Sequence, residues 1–364
     1  MHMSERDHNR SAIEFIEAYA RQKSAQAHKS LAHVCEMSNI SQEQLVFFIA
    51  QIQAQANIVV HFHPYRLNEK GKSVLELLIE SKRYKSQFET NLSNGALDPK
   101  VGGKRDQWEN LLFGNTYDSS INVTNRPKYG ALDLFRFSDG PAPRFGSCFL
   151  VLKPQLTQYA TFTYLDSHLN PEAKGTIRSF ESILANLLLE AFERDFAIGY
   201  HNIRPHQLLD QVTKRLHTSY DQVCFEPSSR NLNHYIEAQI HTDIQLDKDV
   251  DCLVADYAYQ HTEYEKDLAL LCEKCEIKLI WNKGLQLAIA EVPNHFRGKE
   301  MPLLAQQVAI DQYIHAYALA KAEQSYLQAT TDPSLLAHQL QQLKYLWHIL
   351  VKYGQPIYKS STNL

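Results

Sequence analysis

The sequence predicts an α+β protein: a β-containing core with helices added at both ends. Three observations lead there. Apolar residues recur at helical spacing near the N-terminus and again over the last hundred residues. Between these stretches, short β-branched runs are broken by turn residues, and strands and helices do not alternate regularly as in a βα-repeat fold.

Within its 364 residues, 44% hydrophobic and 21% charged, the chain has enough material for one large decorated domain or two. Lys+Arg number 37 and Asp+Glu 41, a net charge of −4, with no long basic tract, so nothing points to nucleic acid or a membrane surface. The start, MHMSERDHNRSAIEF, lacks the apolar run of a signal peptide, and no stretch of about 18 apolar residues occurs, so a soluble chain, cytoplasmic at synthesis, is expected. Six cysteines are too sparse for a disulfide scaffold, and Cys272-x-x-Cys275 has no second pair at zinc spacing. Gly 13 and Pro 13 are low for this length, which argues against long disordered linkers.

Taken in order, residues 11–56 read as helices. Ile13, Ile16 and Ala20 share a face, and Ser41 followed by Gln44 has the form of a capping box. IVVHFHP (58–64) is the first strand, stopped by Pro64, and KSVLELLIES then places Val74, Leu77 and Leu78 on one helical face. From 86 to 170, turn punctuation (SNG, GGK, FGN, RPKYG, SDGPAP) surrounds two clear strands, 146–154 and 160–166. Residues 176–197 form the strongest central helix, with Thr176 as its expected cap. HYIEAQIHTDIQL (234–246) alternates as a strand does, and 250–257 is read as another. The remainder is mainly helical apart from KLIWNKGLQLAIAEVP. Its last helix opens at Asp332-Pro333 and carries Leu336, Leu340, Leu343 and Trp347 on one face. The expected organisation is a helical segment 1–57, a core 58–257 and a mainly helical region 258–364.

The chain has no GxGxxG after a strand, no GxxxxGK[ST], no GxSxG and no HExxH. Four constellations carry chemistry instead. His61 and His63 share a face at the end of a strand, where two converging ring nitrogens could hold a metal or orient a ribose, with Arg66 three residues beyond His63. The runs 83–95 and 102–109 concentrate Gln87, Glu89, Thr90, Ser93, Asn94, Arg105 and Trp108 in what reads as loop, suited to an anion or carboxamide. Arg126 and Tyr129, then Arg144, Phe145 and Ser147, occupy glycine-flanked positions that suit phosphate binding and ring stacking. Strand alternation sets Glu237, Gln239 and His241 in a row on one face, with Ile236, Ala238 and Ile240 facing the core.

On the phrases VVHFHPYR, YKSQFETNLSNG, RPKYGALDL, PRFGSCFLVLKP, ATFTYLDS, YIEAQIHTDIQL, DCLVAD and HFRG, spanning about 58 to 300, the chain resembles an uncharacterised bacterial family. More distantly it resembles the mono-ADP-ribosyltransferase superfamily. There a first strand ends in His or Arg, a middle segment supplies Tyr or Ser/Thr, and a late strand carries the catalytic Glu. This resemblance implies a split β-sheet core and NAD as a substrate bound without a Rossmann fingerprint. It also implies transfer of ADP-ribose to a protein acceptor with release of nicotinamide, in the manner of bacterial effectors and toxins that reach host proteins by signal-less secretion. The first-strand position would be His61, His63 or Arg66, the middle position Tyr129 or Ser147, and the catalytic carboxylate Glu237. Gln239 and His241 would orient the acceptor or touch ribose, Arg126 or Arg144 would hold the pyrophosphate, and Tyr129 or Phe145 would stack on nicotinamide. The sequence has E-A-Q where E-x-E or Q-x-E is usual. Two other readings stand beside this one: a metal-dependent hydrolase using His61 and His63, and a non-catalytic binding protein.

Overall fold

The computed structural model describes residues 5–92, 100–117, 121–224 and 226–357. Its eight main strands are hydrogen-bonded into one sheet: β1 (Asn57–Phe62), β2 (Lys128–Asp133), β3 (Cys148–Leu152), β4 (Ala160–Tyr164), β5 (Lys174–Thr176), β6 (Ile236–Ile240), β7 (Val250–Ala255) and β8 (Lys278–Trp281). Their spatial order is β8-β7-β3-β1-β2-β6-β4-β5, antiparallel throughout except for the β7–β8 pair. The α+β class with helical regions at both ends is therefore what the chain adopts. The two sheets implied by the resemblance are here one continuous sheet.

Strand alternation sorts the two faces. Ile58, Val60, Phe62, Leu132, Leu150, Leu152, Phe162, Ile236, Ala238 and Ile240 enter one extended core with the helices α1 (Glu5–Met37), α2 (Gln42–Gln55) and Glu181–Arg194. On the opposite face Val59, Phe149, Val151 and Val254 pack with Tyr220 and Val223 at the β7–β8 end. The rest of that face carries polar side chains and the cleft described below.

Local chemistry explains most of the element boundaries. The Ser41–Gln44 capping box closes in both directions, at 2.8 and 3.2 Å. The last helix, Pro333–Tyr353, starts where Asp332 accepts from the Ser334 N–H at 2.9 Å. Of its expected face, Leu343 and Trp347 are buried while Leu336 and Leu340 are half-buried.

Three expectations are corrected. Of residues 102–109, read as loop, all from Lys104 on belong to a helix, Lys104–Leu112, in which the i,i+4 pair Arg105–Glu109 turns inward and Gly103 is the N-cap. The central helix begins at Glu181, and Thr176 ends β5. In Val74–Ser81 it is Leu75 and Leu78 that are buried, with Val74 and Leu77 half-buried. Ser93 and Asn94 lie outside the described residues.

The C-terminal helices Ala316–Ala329 and Pro333–Tyr353 contribute Leu319, Leu343, Leu346 and Trp347 to the same core cluster as the sheet. The Trp347 indole N–H donates to Pro143 O at 2.9 Å, pinning the last helix to the loop before β3. Among the described residues no helix is long and apolar enough to cross a membrane.

Candidate active site

A cleft of about 310 Å³ opens on the polar face of the sheet. The sheet supplies Val59, His61, Tyr129, Gly130 and Glu237, and the 84–108 region supplies Tyr84, Gln87, Arg105 and Trp108. The loop before β3 adds Arg144 and Phe145, the β4–β5 connection Asp166 and His168, and the C-terminal region Arg297, Lys344, Tyr345 and His348.

Glu237 is buried at the base of this cleft. Its carboxylate accepts from the Ser167 hydroxyl, from the Ser167 N–H at 3.4 Å and from Gln239 Nε2 at 3.0 Å. Burial, and then the neighbouring Asp166, push its pKa up to about 7, while the Ser167 and Gln239 donors and Arg105 oppose that rise. A carboxyl poised at neutrality beside aromatic rings is the arrangement expected of a catalytic group.

Gln239 and His241 lie behind Glu237, buried and out of the cleft. Thr161 Oγ donates to Gln239 Oε1 at 2.8 Å and lies 2.9 Å from His241 Nε2; His241 Nδ1 lies 2.6 Å from the Tyr117 hydroxyl, which also meets Asn9 Oδ1 at 3.1 Å. One hydrogen-bonded chain thus links Tyr117, His241, Thr161, Gln239 and Glu237, and the Gln239 amide turns its NH₂ toward the carboxylate. Burial lowers His241 to about 3, so the imidazole is neutral. The strand register makes this possible, because β4 pairs with β6 so that Thr161 faces Gln239 and Thr163 faces Glu237.

His61 reaches the cleft as a fixed wall. Its Nδ1–H donates to Gly146 O at 3.2 Å and its Nε2 accepts from the Ala142 N–H at 3.3 Å. Burial lowers it to about 3. With both nitrogens engaged by backbone, it presents a ring edge and no lone pair. His63 sits away from the main cleft, its Nδ1 3.4 Å from Ser147 Oγ and its ring edge-on to Trp347. Together with Arg66 it borders an adjoining cavity of about 80 Å³ that also reaches His61.

The other predicted residues divide clearly. Tyr129 lines the cleft, donates its hydroxyl to Glu109 at 2.7 Å and lies under the Arg105 guanidinium at 4.7 Å. Arg144 and Phe145 line it as well, Arg144 bonding Asn233 Oδ1 at 2.9 Å. Arg126 is not a phosphate ligand. It is fully buried, 2.5 Å from Asp106 and 3.4 Å from Glu109, and it stacks over Phe88. A guanidinium enclosed in that way compensates two buried carboxylates and has no path to the cleft. Arg66 approaches Glu323 at 4.0 Å. Ser147 faces the far side, sharing a hydrogen bond of 2.9 Å with the Tyr259 hydroxyl. Among the described residues, no group of three His, Cys, Asp or Glu side chains is arranged to hold a metal ion.

Sequence reasoning gave no role to Asp166, Ser167, Tyr235, Arg297, Lys344, Tyr345 and His348. The HFRG phrase marked Arg297, and Lys344 and His348 are one helical turn apart, but nothing local says that a helix more than 100 residues downstream folds over the strand carrying Glu237.

No curated protein matches this chain. Residues 57–353, from the first residue of β1 to the end of the last helix, match the family described as protein of unknown function (DUF3626), and the chain belongs to that family.

Proposed function

We propose that this protein is an NAD-dependent mono-ADP-ribosyltransferase, with Glu237 as its catalytic carboxylate. The observation that carries the reading is Glu237 itself: a buried carboxyl with a pKa of about 7, held by three hydrogen bonds at the base of a cleft lined by Trp108, Tyr129, Phe145 and Tyr235.

In the proposed reaction the bond between ribose C1 and the nicotinamide nitrogen breaks. The bonding pair leaves with nicotinamide, which departs neutral, and positive charge develops on the ribose. Ionised Glu237 accepts a hydrogen bond from a ribose hydroxyl and stabilises that charge, acting from a buried position, where electrostatic stabilisation is stronger than in water. The acceptor nucleophile then attacks C1 and loses its proton. Tyr129 and Phe145 offer ring faces to nicotinamide, and Arg144 offers a fork of donors to phosphate. Gln239, which departs from the E-x-E pattern, is a positioning residue in this scheme, as are Thr161, His241 and Ser167.

Incubation of the full chain with NAD labelled in its adenylate half, alone and with bacterial or host lysate, tests the reading. Nicotinamide release or acceptor labelling is expected, and both should be lost in a folded Glu237→Gln variant. Activity retained in that variant would remove the assignment. Stoichiometric metal with chelator-sensitive hydrolysis would favour the hydrolase instead, and a protein that neither binds nor cleaves NAD would favour the binding-protein reading.

A further inference from the structure

The geometry points to a diphosphate-binding subsite built jointly by the loop before β3 and the C-terminal helical region, with Arg144, Arg297, Lys344 and His348 as its residues. The inference rests on the cleft being a nucleotide site, as proposed above, but it assigns recognition of the diphosphate to a part of the chain outside the strand core.

Four features support it. First, three of the cations that line the cleft gather on one side: Arg144, Arg297 and Lys344 come from the loop before β3 and the C-terminal region, whereas Asp166 and Glu237, with Arg105 near them, lie on the other. Second, these cations crowd one another. Burial, and then Arg66, Arg144 and Arg297, bring Lys344 down to about 8, and burial and Arg144 lower Arg297. A partly buried wall of gathered positive charge favours an anionic ligand over a neutral or cationic one. Third, His348 is 2% exposed, lines the cleft, and has neither ring nitrogen hydrogen-bonded among the described residues. Burial and the same cations hold it neutral, near 3, which leaves one N–H to donate. An orphaned buried imidazole at the meeting point of three cations is explained by a ligand that accepts from it. Fourth, the supporting structure is rigid. The Trp347 indole anchors the last helix to Pro143, next to Arg144, and the Arg297 guanidinium lies 5.7 Å from the Tyr345 ring centre and 5.0 Å from that of Phe296.

Three cations from separate segments suit two linked phosphoryl groups better than one carboxylate, because arginine forks engage phosphoryl oxygens in pairs and lysine adds a point charge. The family match extends through these residues to 353, so the tail belongs to the same unit as the strands.

Isothermal titration of the full chain with inorganic pyrophosphate, ADP, AMP and orthophosphate tests the subsite directly. Pyrophosphate and ADP should bind at least about tenfold more tightly than AMP and orthophosphate, and Arg297→Met and Lys344→Met should each weaken pyrophosphate about tenfold or more. Glu237→Gln should leave pyrophosphate affinity intact. No pyrophosphate binding at low salt, or binding indifferent to both tail substitutions, would overturn the subsite. If a methionine variant fails to fold, thermal melting of the wild type decides: a larger rise in Tm with pyrophosphate and ADP than with the monophosphates supports the subsite, and equal rises overturn it. The two proposals fail separately. Tail-dependent pyrophosphate binding without NAD cleavage keeps the subsite and removes the transferase. NAD cleavage with an unchanged KM in both tail variants keeps the transferase and removes the subsite.

Discussion

Gln239 Nε2 lies 3.0 Å from Glu237 Oε1, two residues along the same strand face, and donates to it. The residue that breaks the E-x-E pattern is thus the one holding the carboxylate in place. Gln239→Leu removes that donor and leaves Thr161 Oγ–H without its acceptor. We expect a loss of about 1–3 kcal/mol of stability in denaturant melts. With one stabilising hydrogen bond gone, the Glu237 pKa should move above about 7, so the rising limb of the pH profile for nicotinamide release should shift to higher pH. An unmoved profile would show that Gln239 has only a packing role.

Glu237→Gln should separate activity from stability. Loss of the carboxylate should slow nicotinamide release by about 10²–10³-fold. The folded carboxyl keeps its proton up to about 7 while the unfolded one releases it near 4.5, so in the wild type this group makes stability fall as pH rises through that window and then level off. The variant lacks this decline and should gain at most about 3 kcal/mol above neutral pH. Chemical denaturation at pH 5 and pH 8 measures the difference. An equal loss of stability at both pH values would contradict it.

Arg126→Met should be among the most damaging single changes. It leaves Asp106 buried without the cation 2.5 Å away and Glu109 with Arg105 as its remaining cation, at a cost of about 3–5 kcal/mol. If the variant folds, its pyrophosphate affinity should equal that of the wild type, since Arg126 does not line the cleft. Tenfold weaker binding by a folded variant would restore the role first read from the sequence.

Gly140 and Gly71 form a matched pair, at φ +76° and +75°. A Cβ on Gly140 would fall 2.6 Å from the His61 ring, whereas one on Gly71 would meet nothing within 4 Å. Gly71→Ala should therefore cost only the backbone strain, about 1 kcal/mol. Gly140→Ala should cost clearly more and should disturb the His61 wall of the cleft. Equal costs in thermal melts would mean that His61 can move without penalty.

The sequence by itself determined the local features of this protein. The Ser41–Gln44 capping box, the Asp332-Pro333 helix start and the two-residue period that sets Glu237, Gln239 and His241 opposite Ile236, Ala238 and Ile240 are all governed by neighbours within a few residues. It also marked His61, Tyr129, Arg144, Phe145 and Glu237, which the fold does gather around one cleft. What only the tertiary structure decided is which polar residues reach that cleft. Arg126 and Arg144 look alike in sequence, each beside a proline and within three residues of an aromatic, yet one is neutralised inside the protein by Asp106 and Glu109 while the other lines the cleft. His348 sits within an apolar run that reads as core, and its site follows from the last helix crossing over the loop at Pro143. Arg126 is placed by a helix 17 to 20 residues earlier in the chain and His348 by a contact more than 100 positions away, and both are set by how the helices pack against the sheet, which the local pattern of the chain does not encode.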